Sequence, residues 1–274
     1  MSEVRVNGVR LVCDDTGSGP AVLLLHGFTG TAATWTKQLV SFGRHHRTIA
    51  VDLLGHGRSD AVVDADRYGL DRQAADLAAL LGALEIPTAA VVGYSMGARI
   101  ALRLAVDRPR VVETLVLESP SSGIADALAR QERITQDERM AADLERDGIE
   151  AFSDMWERQP LFASRAAMTP EDRDELRRER TSHDAHALAA ALRGGGQGAM
   201  EPMTRALGSI SVPSLVIAGA LDEAGLARAR IVADAIPAAD LEVFDAAGHT
   251  PHLEDADRFT ALVSAFLDTT RQPN

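Results

Sequence analysis

Short, wholly apolar runs alternate along the chain with longer stretches whose apolar positions recur every three or four residues. Val4 to Val12 alternates around Asn7-Gly8, a dipeptide that favours hairpin turns, and predicts two antiparallel strands at a sheet edge. After a turn cluster from Asp15 to Pro20, Ala21-Val22-Leu23-Leu24-Leu25 reads as a strand buried on both faces. A helix is expected from Thr31 to Phe42 and a strand from Arg47 to Asp52. The next helix, Leu70 to Leu84, puts Leu77, Leu80, Leu81 and Leu84 on one face and is stopped by Pro87. Ala89-Ala90-Val91-Val92 is the following strand, Ala98 to Val106 the following helix, and Val111 to Leu117 the strand after that. This alternation predicts a mostly parallel sheet with helices on both faces, an α/β architecture.

The alternation then stops. From Ile124 to Leu207 no strand-like run occurs, and the segment is charged, helical in period and interrupted by Pro160, Pro170 and Gly194-Gly195-Gly196. Strand character resumes at Val212 to Gly219. A helix from Leu226 to Ala235, a strand from Asp240 to Phe244 and an amphipathic helix from Asp255 to Asp268 follow. In the last helix Phe259, Leu262, Val263, Phe266 and Leu267 face inward. The expected organisation is a core of residues 1–120 and 209–274 with a helical cap, 121–208, inserted between two strands. The alternative for the insertion is a surface helix pair with no role in a site. A cap is favoured because the insertion leaves from the carboxyl end of a strand, where open α/β sheets bind ligands.

Composition narrows the function. The 274 residues are 46% hydrophobic and 25% charged, enough for a sizeable core. A net charge of -12 argues against nucleic-acid binding. The single cysteine, Cys13, excludes an intrachain disulfide and a cysteine zinc cluster. The first residues do not read as a signal peptide, no apolar run has the length of a membrane span, and a cytoplasmic location is expected. Lys37 is the only lysine, so arginine abundance reflects coding bias and carries little weight by itself.

Candidate chemistry gathers at strand ends. Gly93-Tyr94-Ser95-Met96-Gly97 lies between an apolar strand and a helix, the setting of a nucleophile elbow, in which a strained turn exposes the serine hydroxyl. Gly93 and Gly97 leave room where side chains would clash. On this motif alone, an ordinary strand-to-helix turn with an incidental serine is an equal alternative. Asp222 and His249, however, follow two later strands, and the order serine, acid, histidine is that of the α/β-hydrolase triad. His249 can take the Ser95 proton, and Asp222 can fix the imidazole tautomer. The backbone N–H groups of Phe28 and Met96 are the candidates for an oxyanion hole, each such donor being worth about 3 kcal/mol in a transition state. His26 and His56 are read as loop-shaping residues and His252 as a neighbour of the His249 loop. His183 and His186 lack acidic companions at a metal-binding spacing, so no metal is expected. Arg99 lies one turn after Ser95 on the same helix face. A cation there works against the helix dipole and requires an anionic partner, which is either a nearby Asp or Glu or a substrate carboxylate.

Three motifs, His26-Gly27-Phe28-Thr29-Gly30, Asp52 to Ser59 and Gly93 to Leu102, resemble the α/β-hydrolase-fold synthases of menaquinone biosynthesis that make 2-succinyl-6-hydroxy-2,4-cyclohexadiene-1-carboxylate. The similarity continues through Arg130 to Gly148, Trp156 to Ser164 and Leu188 to Met200, and so covers nearly the whole chain. The resemblance implies a lyase that eliminates pyruvate from a small anionic substrate, without cofactor or water. Ser95, Asp222 and His249 would be the triad, with the serine alkoxide as base. Arg99, Arg133 and Arg180 would hold carboxylates, with Arg130, Arg177 and Arg178 as alternatives in the arginine-rich cap. Tyr94 and Trp156 would line the pocket. The sequence departs from the family at Glu223-Ala224-Gly225-Leu226, where a lysine and a phenylalanine are usual, and at Ala98, where glycine is usual. A carboxylesterase or C–C bond hydrolase using the same triad, and a ligand receptor that retains it, are the competing readings.

Overall fold

The computed structural model describes residues 1–270. Eight strands form one sheet: β1 (Ser2–Val6), β2 (Val9–Thr16), β3 (Ala21–Leu25), β4 (Arg47–Asp52), β5 (Ala89–Tyr94), β6 (Val112–Glu118), β7 (Ser214–Gly219) and β8 (Ala239–Phe244). Their order across the sheet is β1-β2-β4-β3-β5-β6-β7-β8. β2 runs antiparallel to β1 and β4, and every other pairing is parallel. The expected α/β-hydrolase fold is observed. Asn7 and Gly8 both take positive φ (47° and 85°), as a tight hairpin turn requires. β2 continues beyond the expected Val12 because Val12 to Thr16 pair with β4.

The core helices are α1 (Thr36–Phe42), α2 (Leu70–Ala83), α3 (Met96–Asp107), and, after the segment described below, three more between Glu223 and Thr269. The helix expected from Thr31 begins instead as a 3-10 turn, Ala32–Trp35, because Thr31 caps that turn and α1 starts only at Thr36. α2 ends before Pro87 is reached, at a left-handed Glu85 (φ 59°). Alternate strand residues feed two separate cores, as strand geometry dictates. Leu23, Leu25 and Val91 pack with Leu77 and Leu81 of α2 and with Ile100 and Leu104 of α3. Val22, Leu24 and Val92 pack with Trp35, Phe42 and, from near the C-terminus, Phe259 and Val263.

Between β6 and β7 the described chain is helical: α4 (Ala127–Glu157), α5 (Pro170–Thr181) and α6 (Ala185–Gly195), with 3-10 turns at Pro160–Ala167 and Ala206–Ser209. α4 is broken at Gly148, whose φ of 82° no helix accommodates. α4 and α6 share their own small core of Ala141, Leu144, Phe152, Leu188, Ala189 and Leu192, against which Phe28 and Trp156 also pack. The chain then returns through β7 to α7 (Glu223–Ala235), β8, a short α8 (Pro251–Glu254) absent from the sequence reading, and α9 (Ala256–Thr269). Asp222 starts α7 three residues earlier than expected, by accepting a hydrogen bond from the Gly225 N–H at 2.9 Å.

The β5-to-α3 turn is tightly packed against backbone. A Cβ on Gly97 would lie 2.2 Å from the Leu25 carbonyl oxygen, and one on Gly93 would lie 2.6 Å from the Gly97 carbonyl oxygen. Backbone atoms cannot yield as side chains do. Gly97→Ala is therefore expected to cost at least about 1–3 kcal/mol. Gly82→Ala, in exposed helix with nothing near its Cβ, should instead stabilise by about 0.5–1 kcal/mol. Thermal unfolding of the two variants side by side checks both signs.

Candidate active site

The carboxyl ends of β3, β5, β6, β7 and β8 converge on one cavity. Ser95 sits between β5 and α3 with φ 50° and ψ -103°, a backbone conformation that non-glycine residues adopt only under constraint. The Ser95 N–H donates to the Glu118 carbonyl at 2.9 Å, so the end of β6 holds the turn. His249 follows β8, and its Nε2 lies 3.0 Å from the Ser95 Oγ. On its other side His249 Nδ1 lies 2.7 Å from the Asp222 Oδ2. Because Asp222 accepts at that position, Nδ1 carries the proton and Nε2 is free to accept from the serine. Burial acts to raise the Asp222 pKa. The His249 hydrogen bond and charge, the Gly225 N–H and the nearby Arg228 outweigh it and hold the carboxyl below its ordinary value.

The loop carrying His249 is fixed by several buried bonds. Ser119 Oγ donates to the His249 carbonyl at 2.9 Å. Glu254 accepts from the N–H groups of Gly248 and Thr250 at 2.9 and 3.0 Å. His252, fully buried, bonds Glu118 through both its backbone N–H and Nδ1, each at 2.9 Å. Its ring packs against Tyr94, whose ring also meets His249 edge-on at 5.5 Å. Burial pushes the Tyr94 hydroxyl pKa upward and keeps the phenol neutral.

Phe28 and Met96 line the cavity beside Ser95. Met96 is the first residue of α3, so its N–H has no partner within the helix. Among the described residues the Phe28 N–H donates to nothing. Gly27 permits this approach, because a Cβ there would lie 2.4 Å from the Tyr94 ring. His26 braces the loop: its Nε2 accepts from the Leu53 N–H at 3.0 Å, and Nδ1 donates to the Gly27 carbonyl at 2.7 Å. Burial lowers its pKa to about 4, and the ring stays neutral. His56 bonds the Leu54 carbonyl at 3.0 Å and packs against His26 and Phe28. Both histidines shape loops.

The cavity, of about 150 Å³, brings Ser95, Met96, Phe28, Tyr94, Arg99, Arg133, Trp156 and His249 together. Arg99 Nη1 donates to the Gly195 carbonyl at 2.7 Å and touches the Met200 sulfur. Among the described residues no Asp or Glu pairs with it. Burial, and then the neighbouring Arg133, pull its pKa down to about 10 against the opposing pull of Asp137, so it remains charged at neutral pH. Arg133 bonds Asp137 at 2.7 Å and Gln197 at 2.9 Å and still lines the cavity.

Arg180 is not brought into this cavity. It lines a neighbouring one of about 30 Å³, room for one or two waters. There its guanidinium is already engaged by Glu157 at 2.9 Å and Ser153 at 3.0 Å. The expectation that Arg180 holds a substrate carboxylate is corrected because Arg180, unlike Arg133, does not line the cavity around Ser95. Arg177 pairs with Asp154 and with Glu150 on the exposed surface of the insertion, and Arg130 reaches Glu201 at 3.5 Å. The cavity also holds residues the sequence reading did not single out: Gln136, Gln159 and Gln197, Ser119 and Ser121, and Arg228. Arg228 follows Asp222 by six residues at the start of an expected helix, a signal lost among the many arginines. Among the described residues no group of three or more His, Cys, Asp or Glu side chains is placed to hold a metal ion.

Such an arrangement can generate a serine alkoxide, stabilise an oxyanion with two backbone donors, and face an anionic substrate. It is the site of an α/β-hydrolase, and the chain, which matches the Alpha/beta hydrolase family over residues 22–262, belongs to that family. Its relatives narrow this. A Bacillus subtilis (strain 168) protein, provisionally designated a 2-succinyl-6-hydroxy-2,4-cyclohexadiene-1-carboxylate synthase, is 38% identical over 95% of this chain and 96% of its own. The Serratia proteamaculans (strain 568) synthase of that name is 31% identical, over 90% of this chain and 93% of its own. The solved structure of MenH from S. aureus superposes with a TM-score of 0.91 at 31% identity, covering 96% of this chain and 99% of that one. Within the described residues no helix is long and apolar enough to cross a membrane.

The lowered Asp222 pKa has a consequence for stability. Its contribution is complete above the ordinary carboxyl value of 3.8 and is lost as pH falls through the depressed folded value. Asp222→Asn should therefore show a shallower loss of stability on acidification below that value than the wild type, measured by denaturant unfolding across the acid limb.

Proposed function

We propose that this protein is a lyase that eliminates pyruvate from a multi-carboxylate cyclohexene intermediate of menaquinone biosynthesis, with Ser95 acting as base. The observation that carries the reading is Arg99. It is a guanidinium in the same cavity as Ser95, and among the described residues no acidic side chain forms an ion pair with it. A site for neutral esters has no use for a buried cation that costs free energy to leave unpaired. A substrate carboxylate supplies the missing partner, and the names of the full-length relatives fit a substrate of that kind.

In this reading His249 accepts the Ser95 hydroxyl proton through Nε2, and Asp222 stabilises the imidazolium. The Ser95 oxygen then takes a proton from the substrate carbon next to a carbonyl. The electron pair moves onto the carbonyl oxygen as an enolate, which the Phe28 and Met96 N–H groups hold. Collapse of the enolate breaks the C–O bond to the leaving group, which departs as the enolate of pyruvate; the His249 imidazolium protonates it to pyruvate, leaving Ser95 as the hydroxyl and His249 neutral. No water enters and no acyl-enzyme forms. Arg99 and Arg133 hold substrate carboxylates, Tyr94 and Trp156 form the walls, and the helical insertion, residues 121–208, caps the site.

Pyruvate release coupled to NADH oxidation by lactate dehydrogenase tests this. The wild type should release pyruvate from the pathway intermediate. Ser95→Ala should lose at least about a thousandfold in kcat/KM, in line with removal of a reacting group. Arg99→Ala should remain folded and lose about tenfold or more, the worth of one charge-assisted contact. Rapid cleavage of p-nitrophenyl esters without pyruvate release would establish the hydrolase instead.

A further inference from the structure

Arg228 is a second cation of the cavity that no acidic side chain pairs among the described residues. It stands on α7, the helix that begins at the triad acid, Asp222. It lines the cavity around Ser95 and also a broad outer basin that contains Arg130, Arg205, Glu201 and Ser121. Ser121 is likewise shared by both, so Arg228 and Ser121 mark the wall where the basin meets the cavity.

The side chain is half-buried, and among the described residues it makes no hydrogen bond or ion pair. Its five N–H donors are thus left to whatever occupies the cavity mouth. Burial lowers its pKa, Asp222 raises it and Arg133 lowers it. It therefore feels both the triad acid and the second cavity arginine, yet is bound by neither. The chain as a whole carries a net charge of -12, which repels an anion approaching at random. At the basin an incoming anion meets Arg130, Arg205 and Arg228 against the single carboxylate of Glu201, which bonds Arg130 only at 3.5 Å. Two unneutralised guanidiniums, Arg228 at the wall and Arg99 within, then face the same space as Ser95.

We infer that Arg228 binds a carboxylate of the substrate at the junction of basin and cavity, and that it selects polycarboxylate over monocarboxylate ligands. This deepens the proposed reaction and rests on its anionic substrate.

The test compares wild type, Arg228→Gln and Arg228→Lys in pyruvate release and in calorimetric titration with citrate, a non-reacting polycarboxylate. Arg228→Gln should raise KM about tenfold with kcat within about threefold, and should weaken citrate binding about tenfold, the loss of one charge-assisted contact. Arg228→Lys, which keeps the charge but not the planar fork, should fall between. Equal KM and equal citrate affinity in wild type and Arg228→Gln would overturn the inference, as would citrate that binds neither protein. A fall in kcat at unchanged KM with a displaced pH–rate profile would overturn it in favour of action through Asp222. If the wild type releases no pyruvate but binds citrate tenfold more tightly than Arg228→Gln, the reaction is wrong and the carboxylate site stands.

Discussion

Everything in this site depends on the strained turn at Ser95. The backbone around that residue is closely packed: a Cβ on Gly97 would lie 2.2 Å from the Leu25 carbonyl oxygen, and one on Gly93 2.6 Å from that of Gly97. The strain is held from the neighbouring strand. Glu118 at the end of β6 accepts the Ser95 N–H through its carbonyl, and its carboxylate binds His252 beyond the triad histidine. Ser119, the next residue, bonds the His249 carbonyl. Two consecutive residues therefore fix the serine and the histidine relative to one another, and the 3.0 Å contact between their side chains needs no reorganisation to form.

The second determinant is an inequality among the arginines. In a chain whose basic residues are nearly all arginine, many are neutralised where they stand: Arg180 by Glu157, Arg193 by Glu138 and Glu145, and Arg58 by Asp14 and Asp52. Arg99 and Arg228 are not, and both face the cavity that holds Ser95. Burying a charge without a partner is costly, so an unpaired cation beside a serine base marks where an anion is meant to sit. Being withdrawn from solvent without an acidic partner, rather than the abundance of arginine, sets Arg99 and Arg228 apart from the exposed arginines among the described residues.

How much of this was legible in the sequence follows from the range of the interactions. Strands such as Ala21–Leu25 are apolar throughout because both faces are buried, and Asn7-Gly8 imposes its turn locally; both are readable without a structure. The triad was readable because each member is tied to a strand end. Helix starts were read less well: Thr31 and Asp222 cap through hydrogen bonds that delay α1 and advance α7, a balance that periodicity does not encode. The cavity wall was read least well. Whether Arg180 or Arg228 meets the cavity depends on which acids fold next to each, and Glu157 lies 23 residues from Arg180 in the chain. In an arginine-rich helical segment that information exists only in the tertiary packing.

The central claim is that Ser95 takes a proton from carbon and no water enters the reaction. Mass spectrometry of the products formed from the menaquinone-pathway intermediate reads this directly. The account predicts pyruvate and a ring product whose masses sum to that of the substrate. Products whose masses sum to substrate plus one water would contradict it and identify Ser95 as a hydrolytic nucleophile.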